Sequence, residues 1–145
     1  MVIEYRQIRE ELIEDEGYCL LPYTDTVGKL SIGVGRNLTD RGLSKEEVEY
    51  LLENDIYMVD RQLRQHLPWF EEHHPSVQRA LYNLCFNLGI TKLLKFTTTL
   101  GYIEARRYNN AVENLKKTKW ARQVQRTRSE RIYNLLREGK NAENT

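Results

Sequence analysis

The sequence predicts an α+β fold: a small sheet lobe, a long connecting helix and a larger helical lobe, with a cleft between the lobes. Three observations carry the prediction. Strand-like alternation is confined to residues 18–38, where turn residues and glycines are dense. From Ser44 onward the apolar residues recur at helical spacing. A length of 145 residues suffices for one domain with a real core.

Residues 3–16 are expected to be helical, because Ile8, Leu12 and Ile13 fall near one face with charged residues around the rest, and Gly17 then breaks the helix. In the stretch EDEGYCLLPYTDTVGKLSIGVGRNLT, Glu14 to Thr39, two or three short strands are separated by Thr24 to Gly28 and end in Gly33 and Gly35. Leu30, Ile32 and Val34 alternate there with Ser31 and the glycines. A strand so poor in side-chain bulk packs weakly, and its bare backbone suggests that another group approaches it closely.

Ser44 followed by Glu47 is a capping-box signature, and Val48, Leu51, Leu52, Val59 and Leu63 continue at helical spacing until Pro68 ends the run. Pro75 and Ser76 open the expected core helix, with Val77, Ala80, Leu81, Leu84 and Leu88 in one stripe and Gly89 as terminator. Shorter helices are predicted at about 97–106, 109–117 and 125–136, and GKNAENT at the end reads as a frayed tail. These elements give a sheet lobe over 17–43, a connecting helix over 44–66, a helical lobe over 67–140 with helix 3–16 packed on it, and a tail over 141–145.

Charge is balanced overall, 22 Lys and Arg against 21 Asp and Glu, but unevenly spread. Residues 102–145 hold 11 basic against 5 acidic side chains, an excess of six that reads either as solvated helix faces or as a surface for an anionic partner. Cys19 and Cys85 fit neither a dense disulfide scaffold nor a zinc cluster and are read as free thiols of a reducing compartment. The first twenty residues are too acidic for a signal peptide, and no apolar run reaches the roughly 18 residues that a membrane span needs.

Glu16 closes the first helix and Asp25 sits in the hairpin turn beyond it. Two carboxylates on different elements across a cleft suit glycoside hydrolysis, where one donates a proton to the leaving oxygen while the other stays ionised opposite it. In a chain with 21 acids, spacing alone equally fits an ordinary turn aspartate and a solvated helix glutamate.

The run Glu16-Gly17, Tyr23, Asp25, Gly28, Ser31-Ile32-Gly33-Val34-Gly35 adds to that spacing. It resembles the phage-type lysozyme (endolysin) family, glycoside hydrolase family 24, whose pattern is Glu, eight residues, Asp, five residues, Thr, then Ile-Gly-x-Gly. Ser31 replaces the Thr, keeping the hydroxyl and losing a methyl. NLCFNLG at 83–89, FTTTL at 96–100 and AVENLKKTKW at 111–120 resemble further segments of the family, so the likeness spans nearly the whole chain.

The resemblance implies a lysozyme-like fold and cleavage of the β-1,4 bond between N-acetylmuramic acid and N-acetylglucosamine in peptidoglycan, without metal or cofactor. It implies that Glu16 protonates the glycosidic oxygen while Asp25 and Ser31 position water on the opposite face, with inversion at the anomeric carbon. By position, Asn37, Phe86, Asn87, Thr99, Asn114 and Trp120 match glycan-contacting residues, and the glycine-rich strand would be a floor against which the sugar chain lies. Phe86 fits the core equally well, and Trp120 fits packing.

Arg36 stands where the best-known member has a histidine paired with an aspartate of the long helix, and Asp55 occupies the aspartate's place. Arg128 is placed to reach Glu16, with Arg126 as the competing choice. The implied setting is a monomer held in the bacterial host's cytoplasm until a holin opens the way to the cell wall, for host lysis and phage release. Two other classes remain as alternatives: a catalytically inactive glycan-binding module, and a nucleic-acid binder using Arg122, Arg126, Arg128 and Arg131. No recognised nucleic-acid motif accompanies those arginines.

Overall fold

A computed structural model describes residues 4–143. The chain divides between Tyr50 and Leu51 into two compact units. The first holds helix α1, Tyr5–Glu16, and an antiparallel sheet of three strands in the order β1, Cys19–Thr24, β2, Leu30–Gly33, and β3, Arg36–Asn37. Helix α2, Lys45–His66, begins in the first unit and continues in the second.

Strand β1 pairs with β2 through Tyr23 opposite Ser31 and Thr24 opposite Leu30, but the register shifts before Cys19 meets Gly33. Leu20, Leu21 and Pro22 fall inside that irregularity, where a proline has no N–H to give to a ladder. In β2 the small residue faces inward: Ser31 is buried, whereas Leu30 is exposed, as is Val34 just beyond the strand. The capping box read from the sequence forms, with Ser44 N–H donating to Glu47 Oε1 at 2.7 Å and Glu47 N–H to Ser44 Oγ at 3.2 Å.

The second unit is helical: α3, Pro75–Leu88; α4, Ile90–Leu93; α5, Thr97–Glu104; α6, Tyr108–Lys116; α7, Lys119–Gln123; and α8, Arg126–Glu143, with a 3-10 turn at Phe70–Glu72. Helix α3 is its centre and packs most extensively against α8, burying Val77, Ala80, Leu81, Leu84 and Cys85. Cys85 and Cys19 are both free thiols. Among the described residues no helix is long and apolar enough to cross a membrane.

The expected tail is corrected over residues 141–143, where α8 continues as helix through Glu143, and residues 144–145 lie outside the described residues. Two contacts explain it. Gly139 is buried against α3, where an added Cβ would stand 2.2 Å from Val77 Cγ2, so the glycine lets two helices approach and does not end one. Glu143 is then tied down by Arg106 Nη1 at 2.6 Å and by the Tyr108 hydroxyl at 3.2 Å. Tyr108 also bonds Nδ1 of buried His73 at 2.6 Å. Burial lowers the His73 pKa, helped by the Arg106 charge, and burial with the Glu143 charge pushes Tyr108 up to about 12.

Candidate active site

Helix α1 ends on Glu16 because Gly17 adopts φ 86°, a left-handed value that a helix cannot continue, while its N–H still closes the last turn on Ile13 O at 2.8 Å. The exposed Glu16 side chain lies over the backbone of Gly35, whose φ is 63°. A Cβ at Gly35 would stand 2.5 Å from Glu16 Oε2 and 2.9 Å from Cδ, so the Glu16 carboxyl would have to move aside for it. The close approach expected along this strand is thus made, at Gly35, by the acid itself. At Gly33 a Cβ would meet nothing within 4 Å, which leaves that stretch of backbone open.

Asp25 is built into the β1–β2 hairpin. Its N–H donates to Lys29 O at 2.8 Å, and Gly28 N–H donates to Asp25 O at 3.1 Å. Its Oδ1 accepts from Val27 N–H at 3.0 Å and from Lys29 N–H at 2.8 Å. Oδ2 has no hydrogen bond among the described residues, so one oxygen fixes the carboxylate and the other is free to accept from water or substrate. Ser31, expected beside this carboxylate, lies on the same hairpin and is 4% exposed.

One expected partnership differs, and Arg128 and Asn37 have hydrogen bonds within their own units. Arg36 finds its carboxylate in Glu47 and not in Asp55: its two terminal nitrogens meet the two Glu47 oxygens at 2.8 and 2.7 Å, and Nη1 also reaches Gly42 O at 3.2 Å. The capping box already fixes Glu47 at the start of α2, so the fork needs no partner further along the helix. The guanidinium beside Glu47, helped by the Ser44 N–H, holds that carboxyl at about 2. Arg128, directed to Glu16 by the resemblance, is engaged by Asn83, from Nε to Oδ1 at 2.7 Å and from Nη2 to the carbonyl at 3.3 Å. Asn37 spends its amide on the following turn, donating to Asp40 Oδ2 at 3.1 Å and accepting from Asp40 N–H at 2.9 Å.

The helical unit brings four of the other expected residues together. Asn87, Thr99, Asn114 and Trp120 line one pocket of about 710 Å³. The Trp120 indole N–H donates to Asn87 Oδ1 at 2.8 Å, and the Thr99 hydroxyl donates to Asn114 Oδ1. Trp120 is also packed edge-on against Tyr133, so it serves core and pocket at once. Phe86 is neither core nor part of that pocket: it is 46% exposed and lines a separate groove with Leu52, Ile56 and Arg131. Lys92 and Lys95, which sequence reasoning passed over, stand on the rim of the larger pocket.

A small antiparallel sheet in one unit followed by a helical unit around one central helix is the α+β lysozyme-like fold. Residues 13–138 match the Phage lysozyme family, and the chain belongs to it. It is 24% identical over 161 aligned positions to a probable T4-type lysozyme 1 of Dictyostelium discoideum, a match covering 91% of this chain and 94% of that one. It is also 27% identical to the pre-baseplate central spike protein Gp5 of Enterobacteria phage T4, over 90% of this chain and 27% of that larger protein. Family membership makes the protein a lysozyme, a glycosidase whose substrate is peptidoglycan.

Proposed function

We propose that the protein is a muramidase that cleaves the β-1,4 bond between N-acetylmuramic acid and N-acetylglucosamine with inversion, in the service of host cell lysis and phage release. The observation that carries the reading is the Asp25 hairpin, in which two backbone N–H groups hold one carboxylate oxygen and leave the other open. Ionised in that position, Asp25 orients a water molecule with help from Ser31. Glu16, seated on Gly35, gives its proton to the departing glycosidic oxygen. Inversion calls for carboxyl groups roughly 6.5 to 9.5 Å apart, room enough for that water.

The pocket of the helical unit is assigned to substrate, with Asn87, Thr99, Asn114 and Trp120 as its polar and aromatic contacts. The protein acts as a monomer, remains in the host cytoplasm and reaches the wall through a holin. Glu16→Gln tests the chemistry, because the amide keeps the shape and has no acid proton to give. Turnover of purified peptidoglycan should fall by about 10²- to 10⁴-fold with the fold intact. Activity within tenfold of wild type refutes the assignment, and a first-formed product of retained anomeric configuration refutes inversion.

A further inference from the structure

The Glu16 carboxyl is placed by contact and not by polar partners. Among the described residues its side chain has no hydrogen bond and no ion pair. Two features of the backbone set its position instead. Gly17 ends α1 directly behind it. Gly35 lies beneath it, where an added Cβ would stand 3.2 Å from Glu16 Cγ and closer still to Cδ and Oε2. A proton donor placed in this way is only as steady as the surface under it.

That surface has little of its own to hold it. Gly35 is the second residue of the two-residue link Val34-Gly35 between β2 and β3, and Gly33 and Gly35 both have positive φ, 69° and 63°. Beyond it β3 is two residues long and lies at an edge of the sheet, paired with β2 through Ile32 opposite Arg36 and Ser31 opposite Asn37. So short a ladder anchors the turn weakly.

Arg36, the residue after Gly35, supplies a stronger anchor. Its guanidinium meets both Glu47 oxygens at 2.8 and 2.7 Å and reaches Gly42 O at 3.2 Å. Glu47 is itself held by Ser44 N–H at 2.7 Å, so Arg36 is fastened both to the first turn of α2 and to the loop before it. A bidentate pair fixes orientation as well as distance. The contacts therefore run without a break from the start of α2 through Glu47, Arg36 and Gly35 to Glu16, all within the first unit.

We propose that Arg36 and Glu47 are positioning residues for the proton donor: their fork holds the Gly35 turn against Glu16 and so fixes where the carboxyl presents its proton. The proposal rests on Glu16 being that donor. Neither Arg36 nor Glu47 takes part in the proton transfer. A solvent-accessible pair contributes little to stability, so its signature is in kcat, where misplacement by about 1 Å costs on the order of 10²-fold.

The test is the dependence on the leaving group. A sugar leaving from peptidoglycan needs a proton as its bond breaks, whereas a dinitrophenolate leaves without one. Two substrates are compared: purified peptidoglycan, and a soluble peptidoglycan fragment whose terminal N-acetylmuramic acid carries dinitrophenol in place of the next sugar. Arg36→Gln and Glu47→Gln should each lower kcat on peptidoglycan by about tenfold or more with KM little changed, and both should stay within twofold of wild type on the aryl substrate. Glutamine at position 47 still closes the capping box, so α2 starts as before. Arg36→Lys, which keeps the charge and loses the fork, should fall between wild type and Arg36→Gln. The double variant Arg36→Gln, Glu47→Gln should lose no more than the worse single, because both break one link.

Circular dichroism at the assay temperature checks that each variant is folded, and Arg36→Lys and Glu47→Gln carry the test if Arg36→Gln is not. Equal losses on the two substrates mean that the fork merely supports the unit and overturn the proposal. So do peptidoglycan kcat values within twofold of wild type, or single losses that multiply in the double variant. Glu16→Gln is the control and should show the strongest dependence on the leaving group. If it does and the fork variants do not, the positioning role fails and the donor stands. If Glu16→Gln keeps peptidoglycan turnover within tenfold of wild type, the donor is misassigned and the proposal falls with it.

Discussion

Each of the two units is stabilised internally by a different kind of force. Between Glu4 and Tyr50, Ser31 alone is buried among the described residues, whereas every buried hydrophobic side chain lies between Val59 and Leu136. The first unit relies on directional bonds: the Asp25 turn, Leu30 N–H on the Thr39 hydroxyl at 2.8 Å, and the fork of Arg36 on Glu47. The second relies on apolar packing, worth about 1.5–3 kcal/mol for each large side chain fully buried. On the proposed assignment of Glu16 and Asp25, chemistry and stability therefore sit in different parts of the chain. Core mutations should move melting with little effect on the folded enzyme's rate, and hairpin mutations should do the reverse.

Leu84→Ala is the strongest way to break this separation. Leu84 is fully buried at the centre of α3, and the cavity should cost about 2–5 kcal/mol. Calorimetry should show a large drop in Tm, while peptidoglycan turnover per folded molecule stays within twofold. A loss of turnover at temperatures where the variant is folded would mean that the core and the site are coupled.

Gly35→Ala probes the opposite side. The positive φ costs a non-glycine residue about 1–2 kcal/mol, and the new methyl must displace the Glu16 carboxyl. Turnover should fall by tenfold or more while Tm drops less than in Leu84→Ala. Normal kinetics would show that the seat of Glu16 on the backbone does not matter.

Gly139→Ala sets two effects against each other. Alanine in a helix interior is favoured over glycine by about 1 kcal/mol, but the methyl would crowd Val77, and overpacking costs about 1–3 kcal/mol. Crowding should win and Tm should fall slightly. A higher Tm would show that α3 and α8 can move apart freely.

The smallest effect belongs to the Arg36–Glu47 fork. Glu47 has its folded pKa depressed to about 2, so its stabilisation is present above the ordinary carboxylate value and fades as pH falls from about 4.5 toward 2. The pair is accessible to solvent and screened by salt, so the gain is small. The Tm difference between wild type and Glu47→Gln should be measurable at pH 6, shrink with added salt and vanish near pH 2. A difference that grows on acidification contradicts the ion pair.

What the sequence discloses about this molecule depends on how local the cause is. The Ser44–Glu47 box, the Pro75 start and the Asp25 turn each involve residues within one turn of one another, and all three were legible. The helical end of α8 was not, because Gly139 owes its place to Val77 on another helix and Glu143 to Arg106. Read locally, a glycine before a run of polar residues is a terminator. Arg36 was assigned by analogy with a relative's residue, although the nearer carboxylate was already visible in the capping box. The pocket around Trp120 had a partial signal in Asn87, Thr99 and Asn114, but Lys92 lines it from α4 and Lys95 from the link between α4 and α5, which no local motif marks.

The irregular stretch of β1 has a consequence for the protein in a crowded cell. This strand is an edge of its sheet, and a flat edge with a free row of N–H and C=O groups invites another chain to add to it. Leu20 and Leu21, 81% and 77% exposed, would make such an addition sticky. The register shift and Pro22 break up the row where those leucines sit, removing one donor and bending the rest out of line. The same irregularity that keeps the hairpin short thus guards the sheet-bearing unit against aggregation at high concentration.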